Sequence, residues 1–495
     1  MRNVSVKNKP VLSTGGKALY GLGDLGFSLV TNTIGSFFMF FGTTVCGVSG
    51  SLMGLAYSIA TVWDALTDPI VGYLSDRKRS VLFGRRHWYM FIAIFGMAIV
   101  NVLLWNVPQE ASSTVKFLWF VCAMMLFNLM TTFYNTPNSA LSVEITGDYN
   151  ERTAIQSVRS VFMLVGTILP TVLMSIMQAP TAEYADGRYN PASYTNMAYI
   201  TSAVLLVCAT LSFMGSFSQV PRLKAKLEKE ERPPKKSLFT IFKDFFTVLK
   251  KPIYRNVILA YSISLMATAF LTSAGFHLFT YSFTLDTTVM YALVASLFLM
   301  TIFSQPVWIW IVKRFDKRTA VLSGIVVSIV GVLYLLGVFI VRASISPDSL
   351  ALTLFPGLAL AGGGIGALYS MPSGMMGDAI TVEKMKTNVD NTATYTGFMT
   401  LGNKLSQSVA LLFIGVLLDL IGFREGATTQ PESVQWGLGW LVFIGVLVAL
   451  IGGFIFYSKY DLKKSDIPNA EDSEGEEDCG TVVVGRAEDF PEERE

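Results

Sequence analysis
The sequence predicts an all-α membrane protein of twelve transmembrane helices, arranged as two six-helix bundles with the N- and C-termini cytoplasmic. Three observations predict it. The first is composition: 52% of the 495 residues are hydrophobic and 15% charged, with a mean hydropathy of +0.49, more apolar surface than a soluble core of this length buries. The second is spacing, because apolar stretches of about 20 residues, the length that crosses about 30 Å of hydrocarbon as a helix, recur between short polar segments. The third is the placement of the basic residues.

The apolar stretches give twelve spans at 18–44, 51–74, 88–107, 116–143, 155–178, 197–219, 254–282, 288–312, 319–341, 349–373, 392–421 and 436–458. Strands of a membrane barrel would read as alternating segments of about ten residues, half this length. Of the 38 Lys and Arg residues, 32 fall in the N-terminus, the even-to-odd loops and the C-terminal segment, eleven of them between Arg222 and Arg255. The opposite loops hold four, Lys116, Arg188, Arg342 and Arg424. Positive charge gathers on the cytoplasmic side, so both ends are expected there. Arg159 and Lys404 remain, inside predicted helices. The first apolar run is too long and too Gly-rich for a cleavable signal and is expected to stay.

The net charge of +2 conceals a split: residues 465–495 hold twelve acids against Arg486 and Arg494. Too polar to bury a core, this segment is expected to be a disordered acidic cytoplasmic tail. Ahead of it the chain divides into an N-terminal bundle at 1–219, a Lys- and Glu-rich cytoplasmic linker at 220–253 with Pro233 and Pro234, and a C-terminal bundle at 254–464. Cys46, Cys122, Cys208 and Cys479 lack metal-ligand spacing and imply no disulfide framework. No nucleophile and base pair, HExxH, metal cluster or phosphate loop is present, so an enzyme is not expected. Nor is a cofactor, a nucleic-acid partner or any metal beyond a monovalent cation.

Ionisable groups at bilayer depth cost at least about 2.5 kcal/mol and mark function by default. They are few: Asp24, Asp64, Asp68, Arg159, Lys404 and, nearer an outer end, Asp419. The sharpest signal is Trp63-Asp64-Ala65-Leu66-Thr67-Asp68-Pro69. A spacing of four puts both carboxylates on one helix face about 6 Å apart, where two unit charges at an effective dielectric of about 20 repel by about 2.8 kcal/mol. The pair is expected to share a proton or to hold a hard monovalent cation, with Thr67 and Thr132 offering neutral oxygens. Alternatively the two acids form salt bridges to Arg159 and Lys404, and the two states can alternate, with Lys404 as the coupling residue.

Asp24 lies among glycines and is read either as a helix-pairing acceptor or as a substrate contact. Tyr134 and Asn135 precede Pro137, where a local break in the helix would present backbone carbonyls to a cavity. Thr400 shares a face with Lys404. His277, the single histidine of its span, reads as an interhelical hydrogen-bonding group. After the second span come Asp76, Arg77 and, further on, Arg85 and Arg86; after the eighth come Arg314 and Asp316. An acid among arginines at a helix end reads as a gate, or as simple positive-inside anchoring.

These residues resemble the glycoside-pentoside-hexuronide:cation symporters of the major facilitator superfamily, whose best-known member is the melibiose permease. The resemblance runs from Tyr20-Gly21-Leu22-Gly23-Asp24 through the Asp64 to Pro69 string and Glu151-Arg152-Thr153 to Lys404, and the string followed by an Arg-rich loop is its specific part. It implies a cation site of Asp64, Asp68 and Thr132, coupling through Lys404, a threonine one turn earlier at Thr400 and a sugar-binding arginine at Arg159. Where the melibiose permease grips galactosyl hydroxyls with two aspartates, this chain holds Ser28 and Asn135, and its stacking tryptophan is replaced by Ser139. The expected function is therefore sodium- or proton-coupled uptake of a glycoside, uronide or related sugar by alternating access, with Asp24, Ser28, Tyr134, Asn135, Arg159, Thr400 and Lys404 toward substrate. A symporter of lysolipid or another amphiphile on the same fold is the alternative, and a transporter-like sensor a minor one. The expected setting is the plasma (inner) membrane, in contact with lipid, as a functional monomer.

Overall fold
The structure, a computed structural model, describes residues 12–77, 83, 86–146, 149–227, 248–387 and 392–462. Among them twelve long helical rods follow one another. The first six are α1 (Thr14–Phe40, continued by a π turn at Phe41–Val45), α2 (Gly50–Arg77), α3 (His87–Trp105), α4 (Ser113–Glu144), α5 (Tyr149–Met177) and α6 (Pro191–Phe217). The next three are α7 (Pro252–Ala269, extended to Ser282 through π turns at Phe270–Ala274 and Leu278–Ser282), α8 (Thr287–Phe303, resumed at Gln305–Arg314) and α9 (Lys317–Ile340). The last are α10 (Pro347–Thr387), α11 (Thr392–Leu420) and α12 (Glu432–Ser458).

Local chemistry starts several of them. The Ser13 hydroxyl accepts from Gly16 N at the head of α1, the Asn190 side chain accepts from Ala192 N with Pro191 in the first turn of α6, and Asp316 caps α9 through Thr319 N. Each satisfies a backbone donor that the first helical turn leaves open. Eleven rods are long and apolar enough to cross a membrane. The other, α2, is 28 residues long but carries Asp64 and Asp68.

Two rods depart from the sequence expectation. The break expected at Pro137 is absent: α4 runs unbroken from Ser113 to Glu144 with Pro137 inside it. A proline removes one helical hydrogen bond, and packing against neighbouring helices outweighs that loss. α10 continues fourteen residues past the apolar run expected to end at 373. Its polar extension is held by ion pairs, Lys317 Nζ to Asp378 Oδ1 at 2.7 Å and Lys251 to Glu383. The linker begins with a short helix at Val220–Leu227; 228–247 and the acidic tail at 465–495 lie outside the described residues.

α1 packs on α5 and α6, α2 on α4, and α3 on α4 and α6; α7 packs on α11 and α12, and α9 on α10 and α12, with α8 also against α10. Among the described residues the two sets meet most closely where α2 lies on α11, α1 on α7, and α5 on α8. The α2 and α11 crossing is backbone on backbone. A Cβ on Gly415 would lie 2.0 Å from the Gly50 carbonyl oxygen, and one on Gly54 2.7 Å from that of Leu411. Only glycine permits that approach. Outward, Ile99, Val161, Phe303 and Val448 expose 60%, 60%, 69% and 64% of their surface, the apolar belt expected of rods that face lipid.

Candidate functional site
The site is built on α2, α4 and α11. Asp64 and Asp68 sit one turn apart on α2, and Thr132 faces them from α4, its Oγ1 2.9 Å from Asp64 Oδ1 and 2.8 Å from Asp68 Oδ1. From α11, Lys404 Nζ donates to Asp64 Oδ2 at 2.7 Å and to Asp68 Oδ2 at 2.6 Å. One ammonium thus serves two carboxylates, and the side chain of Asp64 is 11% exposed against 33% for Asp68. With both acids ionised the cluster carries one uncompensated negative charge, which calls for one more positive charge in a medium that screens poorly.

A second buried pair lies wholly within the first six rods. Arg159 of α5 grips Asp24 of α1 with two hydrogen bonds, Nε to Oδ2 at 2.7 Å and Nη2 to Oδ1 at 2.9 Å. Its guanidinium also stands 5.7 Å from the Tyr20 ring centroid. Tyr134 is buried and stacks on Phe27 at 6.1 Å, and Ser28 is buried beside Gly166. Asn135 is exposed, one turn from Ser139.

The structure thus brings Asp64, Asp68, Thr132 and Lys404 together, and Asp24 with Arg159. The salt bridge expected as an alternative between Arg159 and the α2 acids is replaced by the one to Asp24. Thr67 is buried but its hydroxyl donates to the Asp64 carbonyl of its own helix at 3.2 Å, so it stays out of the carboxylate cluster. Thr400 is exposed and donates to Thr396 O on its own helix. Of the gate candidates, Arg86 donates to Ser75 Oγ at 2.7 Å and pairs with Glu144 at 2.8 Å, all within the first six rods. Asp316 is a helix cap, Arg314 lies 5.9 Å from the Trp310 ring, and the ion pair at that corner is made by Lys317 instead. The side chains of Asp76 and Arg77, and the whole of Arg85, lie outside what the structure describes.

Sequence reasoning read His277 as an interhelical group but missed its partner and the other contacts that close one end of the interface. Asp419 of α11 accepts from the backbone N–H groups of Gly50 at 2.8 Å and Ser51 at 3.0 Å, capping α2 from across the interface. Thr43 and His277 meet at 2.9 Å, Tyr291 donates to Gln178 Oε1 at 2.6 Å, and Arg188 reaches Thr280 Oγ1 at 3.2 Å while pairing with Asp186 at 2.6 Å. Asp419 was visible as an ionisable group near a helix end, but its partner lies 369 residues away. The hydrogen bonds and ion pairs described between the two sets lie between the level of Lys404 and this end. At the other end Lys17, Arg86, Lys251 and Lys317 pair within their own set, with Glu151, Glu144, Glu383 and Asp378. The described contacts thus tie the two sets together on one side of the Lys404 cluster.

Residues 19–464 match the family model described as MFS/sugar transport protein. The sodium-dependent lysophosphatidylcholine symporter 1 of Mus musculus is 24% identical over 488 residues, which is 93% of this chain and 89% of that relative. The inner membrane symporter YicJ of Escherichia coli is 31% identical over 211 residues, 42% of this chain and 44% of that relative. The crystal structure of a bacterial homologue of the human lysosomal transporter Spinster, inward-facing and unoccupied, shares the fold with a TM-score of 0.64 at 14% identity, over 94% of this chain and 100% of that one. Matched over almost all of its apolar rods, this multi-pass integral membrane transporter belongs to the MFS/sugar transport protein family.

Proposed function
We propose that this chain is a cation-coupled symporter in which Asp64, Asp68 and Thr132 bind one monovalent cation and Lys404 couples its occupancy to the conformation of the two halves. The observation that carries the reading is Lys404 Nζ within 2.7 Å of both carboxylates, with Thr132 between their other oxygens. The acids belong to the N-terminal half and the lysine to the C-terminal half, so the ammonium is both stand-in for the cation and tie between the halves. An arriving cation replaces it, frees α11 from α2 at mid-depth and changes what the halves gain by closing. In this topology α2 also crosses and completes twelve spans, both termini are cytoplasmic, the tied end faces outward in the plasma membrane, and the monomer is the working unit. A potential of about 100 mV, worth about 2.3 kcal/mol per charge, with a tenfold cation gradient worth about 1.4, accumulates substrate a few hundredfold.

The substrate class favoured is a glycoside, uronide or related sugar, bound between the halves near Arg159, Asn135, Thr400 and Lys404, as in the melibiose permease-like subfamily. The family description and the polar, aromatic-edged surroundings of Arg159 support it. A second reading, a lysolipid as substrate, is favoured by the relatives named for lysophosphatidylcholine that match over most of both chains. Uptake of labelled glycosides, hexuronides and lysophospholipids into proteoliposomes, with and without an inward sodium gradient at fixed pH, separates the two. Sodium-stimulated sugar uptake that vanishes in Asp68→Cys supports the first; sodium-stimulated lysolipid uptake alone replaces the substrate but keeps the cation site. Full cation stimulation in Asp68→Cys would overturn both.

A further inference from the structure
The hydroxyl of Thr132 has one proton and two carboxylate oxygens within 2.9 Å, so where its oxygen sits decides how the acid pair is completed. One turn earlier on α4 stands Asn128. Its Nδ2 donates across the helix interface to the carbonyl of Ala60 at 2.9 Å, and Ala60 lies one turn before Asp64 on α2. Among the described residues, the hydrogen bonds between α2 and α4 are this one and those of Thr132. The main-chain carbonyl of Asn128 lies 3.0 Å from Thr132 Oγ1, but it already takes the hydroxyl of Thr131 at 2.8 Å. The Thr132 hydroxyl, one proton facing three acceptors, keeps its oxygen beside both carboxylates.

We propose that Asn128 is a positioning residue of the cation site, pinning α4 to α2 so that Thr132 supplies a neutral oxygen beside Asp64 and Asp68, and that this sets the preference for a metal cation over a proton. A sodium ion needs several oxygens at fixed distances, whereas a proton needs one carboxylate oxygen. Loss of the pin therefore weakens sodium binding and leaves proton binding nearly intact. The proposal rests on the cation-site reading above, deepens it, and names the coupling ion as sodium.

The test uses the full chain in proteoliposomes. Asn128→Leu keeps the shape and loses the donor; Asn128→His restores an N–H donor two bonds beyond Cβ. The expected result for Asn128→Leu is a half-saturating sodium concentration raised about tenfold, equivalent to about 1.4 kcal/mol, with substrate half-saturation at saturating sodium changed less than about twofold and proton-driven uptake at acid pH retained. Asn128→His should recover most of the sodium affinity. Unchanged sodium affinity in Asn128→Leu, with stimulation abolished in Asp68→Cys, overturns the role of Asn128 and leaves the cation site standing. Equal loss of sodium- and proton-driven uptake in Asn128→Leu also overturns it, as a purely structural effect. Full stimulation in Asp68→Cys overturns the site itself. If Asn128→Leu is not recovered from the membrane, the sodium-induced rise in melting temperature of purified Asn128→Ala decides in its place: a normal rise overturns the proposal, a lost one supports it.

Discussion

The same two helices, α2 and α11, meet in two different ways. At one end their backbones touch at Gly50 and Gly415, and Asp419 caps α2 through Gly50 N and Ser51 N. About 20 Å further along α2, at the helical rise of about 1.5 Å per residue, they meet through Lys404 and the two carboxylates. The glycine contact is backbone on backbone and has a fixed shape; a small ion finds no exchangeable positive charge there to replace. The lysine contact is charge on charge, only partly buried, and its positive partner is exchangeable. The difference teaches where control lies: the close-packed end sets how firmly one side of the protein shuts, while the charged middle makes the shutting answer to ligand.

Substitutions at the two contacts should therefore fail in different ways. The largest effect is expected at the charged one. Lys404→Ala removes the exchangeable partner and strands two carboxylates, so cation-driven accumulation of substrate should fall about a hundredfold, or about 2.7 kcal/mol, while the protein still assembles in the membrane. Gly415→Val is expected to do the reverse. Its side chain meets the Gly50 carbonyl, which cannot give way, and thermal unfolding of the purified protein should show a loss of about 2–3 kcal/mol. A Gly415→Val variant of unaltered stability would mean that the crossing is looser than its geometry.

A smaller effect is expected at Asp419→Ala, which removes two hydrogen bonds to the head of α2 and with them about 1–2 kcal/mol of closure. Labelling of Thr44→Cys by a membrane-impermeant maleimide should accelerate about tenfold, and no change would mean that Asp419 adds nothing to the closure made by the glycines and the other contacts at this end. The smallest concerns pH. Burial alone would raise the carboxyl of Asp186, but the hydrogen bonds and charge of Arg188 outweigh it and hold the group below the usual carboxylate range. A depressed carboxyl stabilises its loop, which carries Arg188 to Thr280 across the interface, at every pH above its unfolded value of about 4 and loses that contribution as pH falls through the folded value. The labelling rate at Thr44→Cys should thus be flat from about pH 8 to 5 and rise only in stronger acid, with the rise removed in Asp186→Asn.

The acid pair was legible because a four-residue spacing on a helix is a local fact, and a carboxylate among apolar residues stands out against its surroundings. The glycines of α2 were only composition until their partners in α11 were known. Arg159 was read with the acids of α2 as one alternative, since intramembrane cations and anions are few and each must be paired; which pairs form depends on which rods are neighbours, and α5 lies against α1. Pro137 misled for a related reason. Proline weakens an isolated helix, but the cost is small beside the packing of a 32-residue rod.

By itself the sequence determined the solvent, the ends of the rods to within a few residues in most cases, and the chemistry available at mid-depth, because hydrophobic length and the cost of a buried charge act on consecutive residues. Only the tertiary structure decided that Lys404 lies on Asp64 and Asp68, that Asn128 fixes Thr132, and that the halves are tied at one end. Those contacts join residues from 64 to 369 positions apart. Their geometry comes from how helices pack, which no local pattern encodes.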